Sequence, residues 1–311
     1  MPLKILFAAR PDRWQAYETP LLDACRDAGL DVDIRTGFEN PAEVDYIVYA
    51  PNGPVTDFTP FTNARAVLNL WAGVEDVADN PTLKIPLARM VDGGLTEGMV
   101  EWVTGHVLRH HLGMDRHIVS QDGCWRPEAP PLARDRKVAV LGLGVLGQAC
   151  AQTLAGLNFD VLGWSRRPGK MEKLTCESGA DRLKYVLQRS DILVLLLPLT
   201  KQTENLLNAE RLSWLPRGAI VINPGRGSLI DDDALLAALD AGQVGHATLD
   251  VFRVEPLPAE HPFWAHPKVT VTPHIASETR PQSASRVIAE NIRRGQSEKP
   301  FLHLVDRTAG Y

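Results

Sequence analysis

KVAVLGLGVLGQACAQTLAGL (137–157) is the stretch whose reading decides the fold. Its first five residues, KVAVL, form a short and almost wholly apolar run, the pattern of a strand buried on both faces. Its end, VLGQACAQTLAGL (145–157), has helical spacing. Between them Gly142, Gly144 and Gly147 spell G-x-G-x-x-G, with Val145 and Leu146 opening the helix. In such a turn the first glycine permits a tight bend. The second lets a pyrophosphate approach the backbone, and the third lets the helix pack closely on the strand. The helix N-terminus then faces the anion. Alone the motif is weak, and a merely tight strand-to-helix turn is the competing reading. The strand before it and the helix after it are the context that points to a dinucleotide site.

The alternation continues in both directions. Downstream, FDVLGWS (159–165), DILVLLLP (191–198), GAIVIN (218–223), HATLDVF (246–252) and KVTVTP (268–273) read as strands. DDDALLAALDAG (231–242) reads as a helix, with three aspartates at the positive end of its dipole. Upstream, KILFAA (4–9), DVDIRT (31–36), DYIVYA (45–50) and AVLNL (66–70) read as strands. ETPLLDACRDAG (18–29) reads as a helix ending at a glycine suited to its C-terminal cap. Gly93-Gly94 interrupts this series, and Thr96 is the expected cap of a long helix over 96–113. QDGCWRPEAPPLARDR (121–136), rich in proline and charge, reads as an exposed arm. An amphipathic stretch (278–295) precedes the tail. Two alternating series in tandem predict an α/β protein with two doubly wound parallel-sheet domains, Rossmann-like and flavodoxin-like, around an active-site cleft.

Composition narrows the function classes. With 311 residues, 44% hydrophobic and 23% charged, the chain can bury sizeable cores as an ordinary globular protein. A net charge of −5 gives no whole-protein basic field for nucleic acid. No apolar stretch approaches the roughly 20 residues needed to span a membrane, and the apolar run in MPLKILFAARPDRW is too short for a signal peptide. Cys25, Cys124, Cys150 and Cys176 are dispersed, without a CxxC pair, so reduced thiols in a cytoplasmic protein are expected. His106 and His110 are four residues apart on a helix but no HExxH surrounds them, so no metal is expected.

Several side chains suit a particular chemistry. After the second strand of the dinucleotide series come Ser165, Arg166 and Arg167, where an NAD site usually places an acid for the ribose 2′-hydroxyl. A neutral serine and two cations suit a 2′-phosphate, so NADP(H) is preferred and NAD(H) remains possible. The alternative is a solvated basic loop, RRPGK (166–170). Arg226, between Gly225 and Gly227, has the planar fork that grips a carboxylate and polarises a neighbouring carbonyl. The alternative is a turn arginine paired with an aspartate such as Asp231.

LGLGVLG (141–147), NPGRGSLID (223–231), LDVFRVEP (249–256) and VTPHIAS (271–277), in that order, resemble the D-isomer-specific 2-hydroxyacid dehydrogenases. The match is greatest with their short glyoxylate/hydroxypyruvate reductase A-like branch. It covers essentially the whole chain and is strongest over 137–277, the first hundred residues matching mainly by architecture and an Ala-Gly-Val turn. One departure is the missing second-strand acid, which bears on NAD use and leaves the reaction class untouched.

The resemblance selects His274 over His246, His261 and His266 as the proton donor, with Glu255 as the carboxylate that raises its pKa. It implies that Arg226 and the backbone N–H groups of Ala72, Gly73 and Val74 hold a substrate carboxylate. Asp250 would bond the nicotinamide carboxamide, and Leu197, Pro198, Asn223 and Pro224 would flank the cofactor. Tyr49, Trp71, Met99 and Trp264 are candidate pocket walls or plain packing residues. The implied topology puts 1–94 and 281–311 in a substrate-binding domain, and 95–280 in a dinucleotide-binding domain with a dimerising helix and arm. The implied activity is NADPH-dependent reduction of glyoxylate and hydroxypyruvate to glycolate and D-glycerate by a homodimer. A reductase of a larger 2-keto acid, such as phenylpyruvate, is one alternative. A dinucleotide-sensing corepressor-type binding protein is another, and turnover separates the two.

Overall fold

The computed structural model describes every residue except 120, 121, 167, 168, 170, 173 and 311. The chain divides into two compact units, Met1–Leu95 with Glu278–Tyr311, and Thr96–Ser277.

The first unit opens with β1 (Leu3–Ala8), α1 (Pro11–Asp27), β2 (Val32–Arg35), β3 (Tyr46–Tyr49), β4 (Ala66–Asn69), α2 (Glu75–Ala78) and β5 (Leu87–Ala88). The strands are all parallel, in the order β2-β1-β3-β4-β5, the flavodoxin-like arrangement. Apolar runs result because both faces are covered. Ile5 and Phe7 pack among Tyr17, Leu21 and Cys25 of α1, while Leu6 and Ala8 pack among Val74 and Val77 on the other face. α1 starts at Pro11, well before the expected residue 18. Proline suits the first helical turn, where its missing N–H has no intrahelical partner to lose. Pro20 lies inside the helix and obscures its continuity in the sequence. Gly29, at φ +71°, ends the helix as expected.

The next helix, α3 (Gly93–His111), also begins earlier than expected. Asp92, not Thr96, stands before it, accepting the Leu95 N–H at 3.3 Å. The glycine pair therefore forms the first turn of the helix instead of interrupting the chain. After α4 (Met114–Val119), residues 122–132 are exposed, with Trp125 at 92% exposure.

The second unit continues with β6 (Lys137–Leu141), α5 (Val145–Gly156), β7 (Asp160–Ser165), β8 (Thr175–Ser178), α6 (Ala180–Leu187) and β9 (Ile192–Leu195). It ends with α7 (Ala209–Ser213), β10 (Ala219–Asn223), α8 (Asp232–Asp240), β11 (Val244–Leu249) and β12 (Val269–Val271). The seven parallel strands run β12-β11-β10-β9-β6-β7-β8. This is the dinucleotide-binding order with one strand added, and its switch point falls between β6 and β9. β8 and α6 are not evident in the sequence, because Thr-Cys-Glu-Ser at the sheet edge lacks an apolar run. β11 stops at Leu249, short of the expected 252, leaving Asp250 and Phe252 outside the strand. The last helix, α9 (Pro281–Gln296), returns to the first unit, where Ala284, Ile288 and Ile292 join the α1 core.

Candidate active site

The glycine turn leaves β6 at the switch point, and each glycine there has its own cause. Gly142 has φ +104°, and a Cβ on it would lie 2.4 Å from the Leu196 carbonyl oxygen. A Cβ on Gly147 would fall 1.7 Å from the Gly142 oxygen, so α5 could not pack against the turn. Gly144 differs: among the described residues, no atom beyond its own chain neighbours lies within 4 Å of its would-be Cβ, and the residue is exposed just before α5. A side chain there would intrude only on something outside the protein. With Val145 exposed at the helix start, and Leu197 and Pro198 following β9, the turn fits a pyrophosphate approaching a helix N-terminus. Ser165 closes β7 and Arg166 follows it, exposed. Arg167 lies outside the described residues.

The Arg226 loop follows β10. Asn223, 1% exposed, builds it: its Oδ1 accepts the Gly225 N–H at 3.1 Å and its Nδ2 donates to the Arg226 carbonyl at 2.9 Å. Pro224 is buried beside it. Asn223 and Pro224 thus shape the arginine turn, whatever else they touch. Arg226 is half-buried, and its Nη1 donates to the Gly225 carbonyl at 2.6 Å. Asp231 does not take the role of its partner in the competing reading; it caps α8 by accepting the Ala234 N–H at 3.0 Å.

His274 and Glu255 meet directly. His274 Nδ1 lies 2.6 Å from Glu255 Oε2, and Glu255 Oε1 accepts the Phe252 N–H at 2.8 Å. His274 has φ +53°, an uncommon conformation for a residue with a Cβ. Its own N–H holds it there, donating to the Asp250 carbonyl at 2.8 Å and to the Thr272 carbonyl at 3.0 Å. The hydrogen bond to Glu255 raises the His274 pKa above its ordinary value; partial burial opposes this, and the Glu255 charge adds to it. Burial pushes the Glu255 carboxyl up, but the His274 hydrogen bond, the Phe252 N–H and the His274 and Arg226 charges outweigh it, and its pKa falls. Arg226 acts on both partners, so the three side chains form one electrostatic group.

Asp250 lies beneath the same loop. It is 0% exposed, and its carboxylate serves the loop that carries His274. Oδ1 accepts from the Thr272 hydroxyl at 2.6 Å and the Ile275 N–H at 2.9 Å, and Oδ2 accepts from the Ala276 N–H at 2.8 Å. The carboxylate thus folds the loop that carries His274.

In the first unit, Ala72-Gly73-Val74 follow β4, and Val74 precedes α2. Asn69, 1% exposed, donates through Nδ2 to the carbonyls of Trp71 and Gly73 at 3.0 and 2.9 Å. With those carbonyls turned toward Asn69, the turn is held in one shape. Sequence reasoning missed Asn69; the available signal was an amide closing an otherwise apolar strand. Of the proposed wall residues, Tyr49 and Met99 are core, while Trp71 and Trp264 are exposed at 40% and 52%.

His110 and the three competing histidines are engaged elsewhere. His110 Nε2 lies 2.8 Å from Thr248 Oγ1, His246 Nε2 lies 2.8 Å from Thr270 Oγ1, and His266 faces Asp240 at 3.3 Å. His261 Nε2 is 3.9 Å from Asp232. Among the described residues, no group of three or more His, Cys, Asp or Glu could hold a metal ion, and no helix is long and apolar enough to cross a membrane. A cavity of about 280 Å³, lined by Arg109, His111, Asp115, Arg116, Glu128 and Arg136 among others, contains none of the site residues.

Comparison with known proteins gives a consistent result. The model of the D-isomer specific 2-hydroxyacid dehydrogenase NAD-binding domain matches residues 104–276. A glyoxylate/hydroxypyruvate reductase A of Yersinia enterocolitica is 38% identical over 286 residues, covering 89% of this chain and 90% of the relative. One from Photorhabdus laumondii is 37% identical, covering 86% and 88%. Among solved structures, a D-isomer specific 2-hydroxyacid dehydrogenase of Xanthobacter autotrophicus Py2, in complex with NADPH and MES, aligns with a TM-score of 0.93 and 40% identity, covering 100% of both chains. An NADPH-dependent glyoxylate/hydroxypyruvate reductase of Sinorhizobium meliloti, in complex with NADP and sulfate, aligns with a TM-score of 0.87 and 34% identity, covering 100% of this chain and 99% of that one.

Proposed function

The chain belongs to the D-isomer specific 2-hydroxyacid dehydrogenase family, and from that premise we propose that it reduces small 2-keto acids with NADPH. Glyoxylate would give glycolate, and hydroxypyruvate D-glycerate. The observation that carries this reading is the 2.6 Å contact of His274 with Glu255, within the electrostatic reach of Arg226.

When bound, NADPH supplies the hydride that reaches the C2 carbonyl carbon. Arg226 grips the substrate carboxylate and draws charge onto the C2 oxygen, where a preorganised cation is worth most as negative charge develops. Glu255 holds Nδ1 of His274, so Nε2 is the nitrogen that donates a proton to that oxygen. Ala72, Gly73 and Val74 are proposed as further carboxylate donors through their backbone N–H groups. Gly142, Gly144, Val145, Leu146 and Gly147 would receive the pyrophosphate, with Leu197 and Pro198 flanking the cofactor. The neutral Ser165 and exposed Arg166 support a 2′-phosphate over a 2′-hydroxyl, as do the NADP complexes of the similar proteins.

A homodimer is proposed through α3 and the arm; the exposure of Ile118, Val119, Trp125 and Leu132 supports it, and light scattering at micromolar concentration checks it. Four free cysteines fit a cytoplasmic location.

Steady-state kinetics on a 2-keto acid panel with NADPH and NADH test the reading. Glyoxylate and hydroxypyruvate should be turned over faster than phenylpyruvate, with NADPH preferred by roughly tenfold or more. Arg226→Gln should lower kcat/KM by on the order of 10²–10³. Absence of turnover on the whole panel would reject the enzyme and favour a binding protein.

A further inference from the structure

We infer that Arg253 is a positioning residue for keto-acid reduction: it clamps the turn carrying Glu255 to the segment that follows Arg226, and so sets the Glu255 carboxylate on His274. This rests on the reading of Glu255 and His274 as the proton-donating pair. Arg253 stands two residues before Glu255, and its side chain is 31% exposed. Its Nη2 donates to the Ile230 carbonyl at 2.6 Å and also to Asn205 Oδ1. Its Nε lies 3.7 Å from Asp232 Oδ2, and Nη1 lies 4.0 Å from Glu204 Oε1. One guanidinium therefore ties its own turn to 204–205 and to 230–232, the residues that lead from the Arg226 loop into α8.

A second contact joins the same turns. A Cβ on Gly227 would fall 2.0 Å from the Phe252 carbonyl carbon, so the Arg226 loop lies directly on the Phe252 backbone. Phe252 is also the residue whose N–H holds Glu255 Oε1. Gly227 sets how near the two turns stand, but one close contact leaves them free to pivot. The several-point grip of Arg253 removes that pivot, because a planar fork of donors has direction as well as charge. Glu255 is held by its own turn through Oε1 and reaches His274 through Oε2, so a pivot of the turn carries Oε2 off Nδ1. The charged groups acting on His274 are Glu255, Arg226 and Asp250. Arg253 thus influences His274 by placing Glu255.

The test uses Arg253→Ala, Arg253→Lys and Arg253→Met in the full chain. Histidine titration by NMR in the cofactor-free protein reads the pair without turnover. Arg253→Ala should lower the pH at which His274 loses its proton, toward the value of about 6.5 for a free imidazole. It should also lower kcat by on the order of tenfold to a hundredfold, as small misplacements of reacting groups do, with little change in the KM for NADPH. Arg253→Lys, which keeps a donor for the Ile230 carbonyl, should recover part of kcat. Arg253→Met keeps the apolar stem and decides the matter if the alanine variant does not fold. An unchanged His274 titration and unchanged kcat in a folded Arg253→Ala or Arg253→Met protein overturns the inference. If instead His274→Asn and Arg226→Gln leave turnover intact, the underlying reading has failed, whatever the Arg253 variants do.

Discussion

His274 and the His110–His246 pair lie in the same unit and are driven in opposite directions. His274 has a carboxylate 2.6 Å from Nδ1, and its pKa rises. His110 and His246 instead meet threonine hydroxyls, at 2.8 Å each, and their rings stand 4.9 Å apart. Burial, then the charge of the other histidine, then Arg109, push His110 down to about 3. Burial, then Arg109, push His246 down to about 4. Asp115 would favour their protonation, but it is already engaged by Arg109 Nε at 2.7 Å. A histidine becomes an acid or a packing group according to the charge of its partner, and its position in the sequence says little about which.

The contrast is broken most directly by replacing His274. His274→Asn should lower kcat by about 10²–10⁴-fold, the usual contribution of general acid catalysis, while NADPH binding, read by fluorescence titration, stays near wild type. His110→Gln, which can still bond Thr248, should leave kcat nearly unchanged. Comparable losses in the two variants would erase the distinction.

Glu255→Gln sharpens it. On the proposed reading the protonated imidazole is the active form, so reduction should be lost as pH rises through the raised His274 pKa. Removing the carboxylate charge lowers that pKa, and the alkaline limb of kcat/KM should move to lower pH. A profile from pH 5 to 9 that overlays wild type would break the coupling.

The smallest effect is on stability. His110 and His246 have folded pKa values below the unfolded value of about 6.5. Their contribution is therefore complete above that pH and is lost as pH falls toward about 4 and about 3. The slope is at most about 1.4 kcal/mol per pH unit for each group. His274 has the opposite sign, its contribution being present below pH ~6.5 and lost as pH rises through its folded pKa; more than half of its side chain is exposed, so solvent screening keeps that term small. Urea melts between pH 7 and 4 should show wild-type stability falling, and His110→Gln/His246→Gln should flatten the fall. A double variant as acid-sensitive as wild type would assign the loss to other groups.

Much of the second unit was legible along the chain. KVAVL (137–141) and its glycines announce a strand, a turn and a helix because apolar periodicity and the torsions open to glycine are local properties. Less legible were elements whose formation depends on neighbours. β8 is an edge strand of Thr-Cys-Glu-Ser, and α1 runs through Pro20 because its buried face outweighs a local breaker. The structural parts of Asn69, Asp250 and Arg253 were not legible, since an amide, acid or guanidinium that ties loops together has no signature until its partners are in place.

The sequence by itself determined two α/β series, the glycine turn and the identity of Arg226, Glu255 and His274 as candidates. The series, the turn and the suitability of Arg226 for a carboxylate follow from residue type and short-range spacing, while the resemblance to the dehydrogenase family singled out Glu255 and His274. Only the tertiary structure decided that Glu255 sits on His274 Nδ1, that Asp250 folds the His274 loop and that Gly227 rests on Phe252. Those facts join segments brought together by parallel strands ending on one edge of a sheet. A proton-transfer pair depends on tenths of an ångström between such segments, and that spacing is set by packing across the fold.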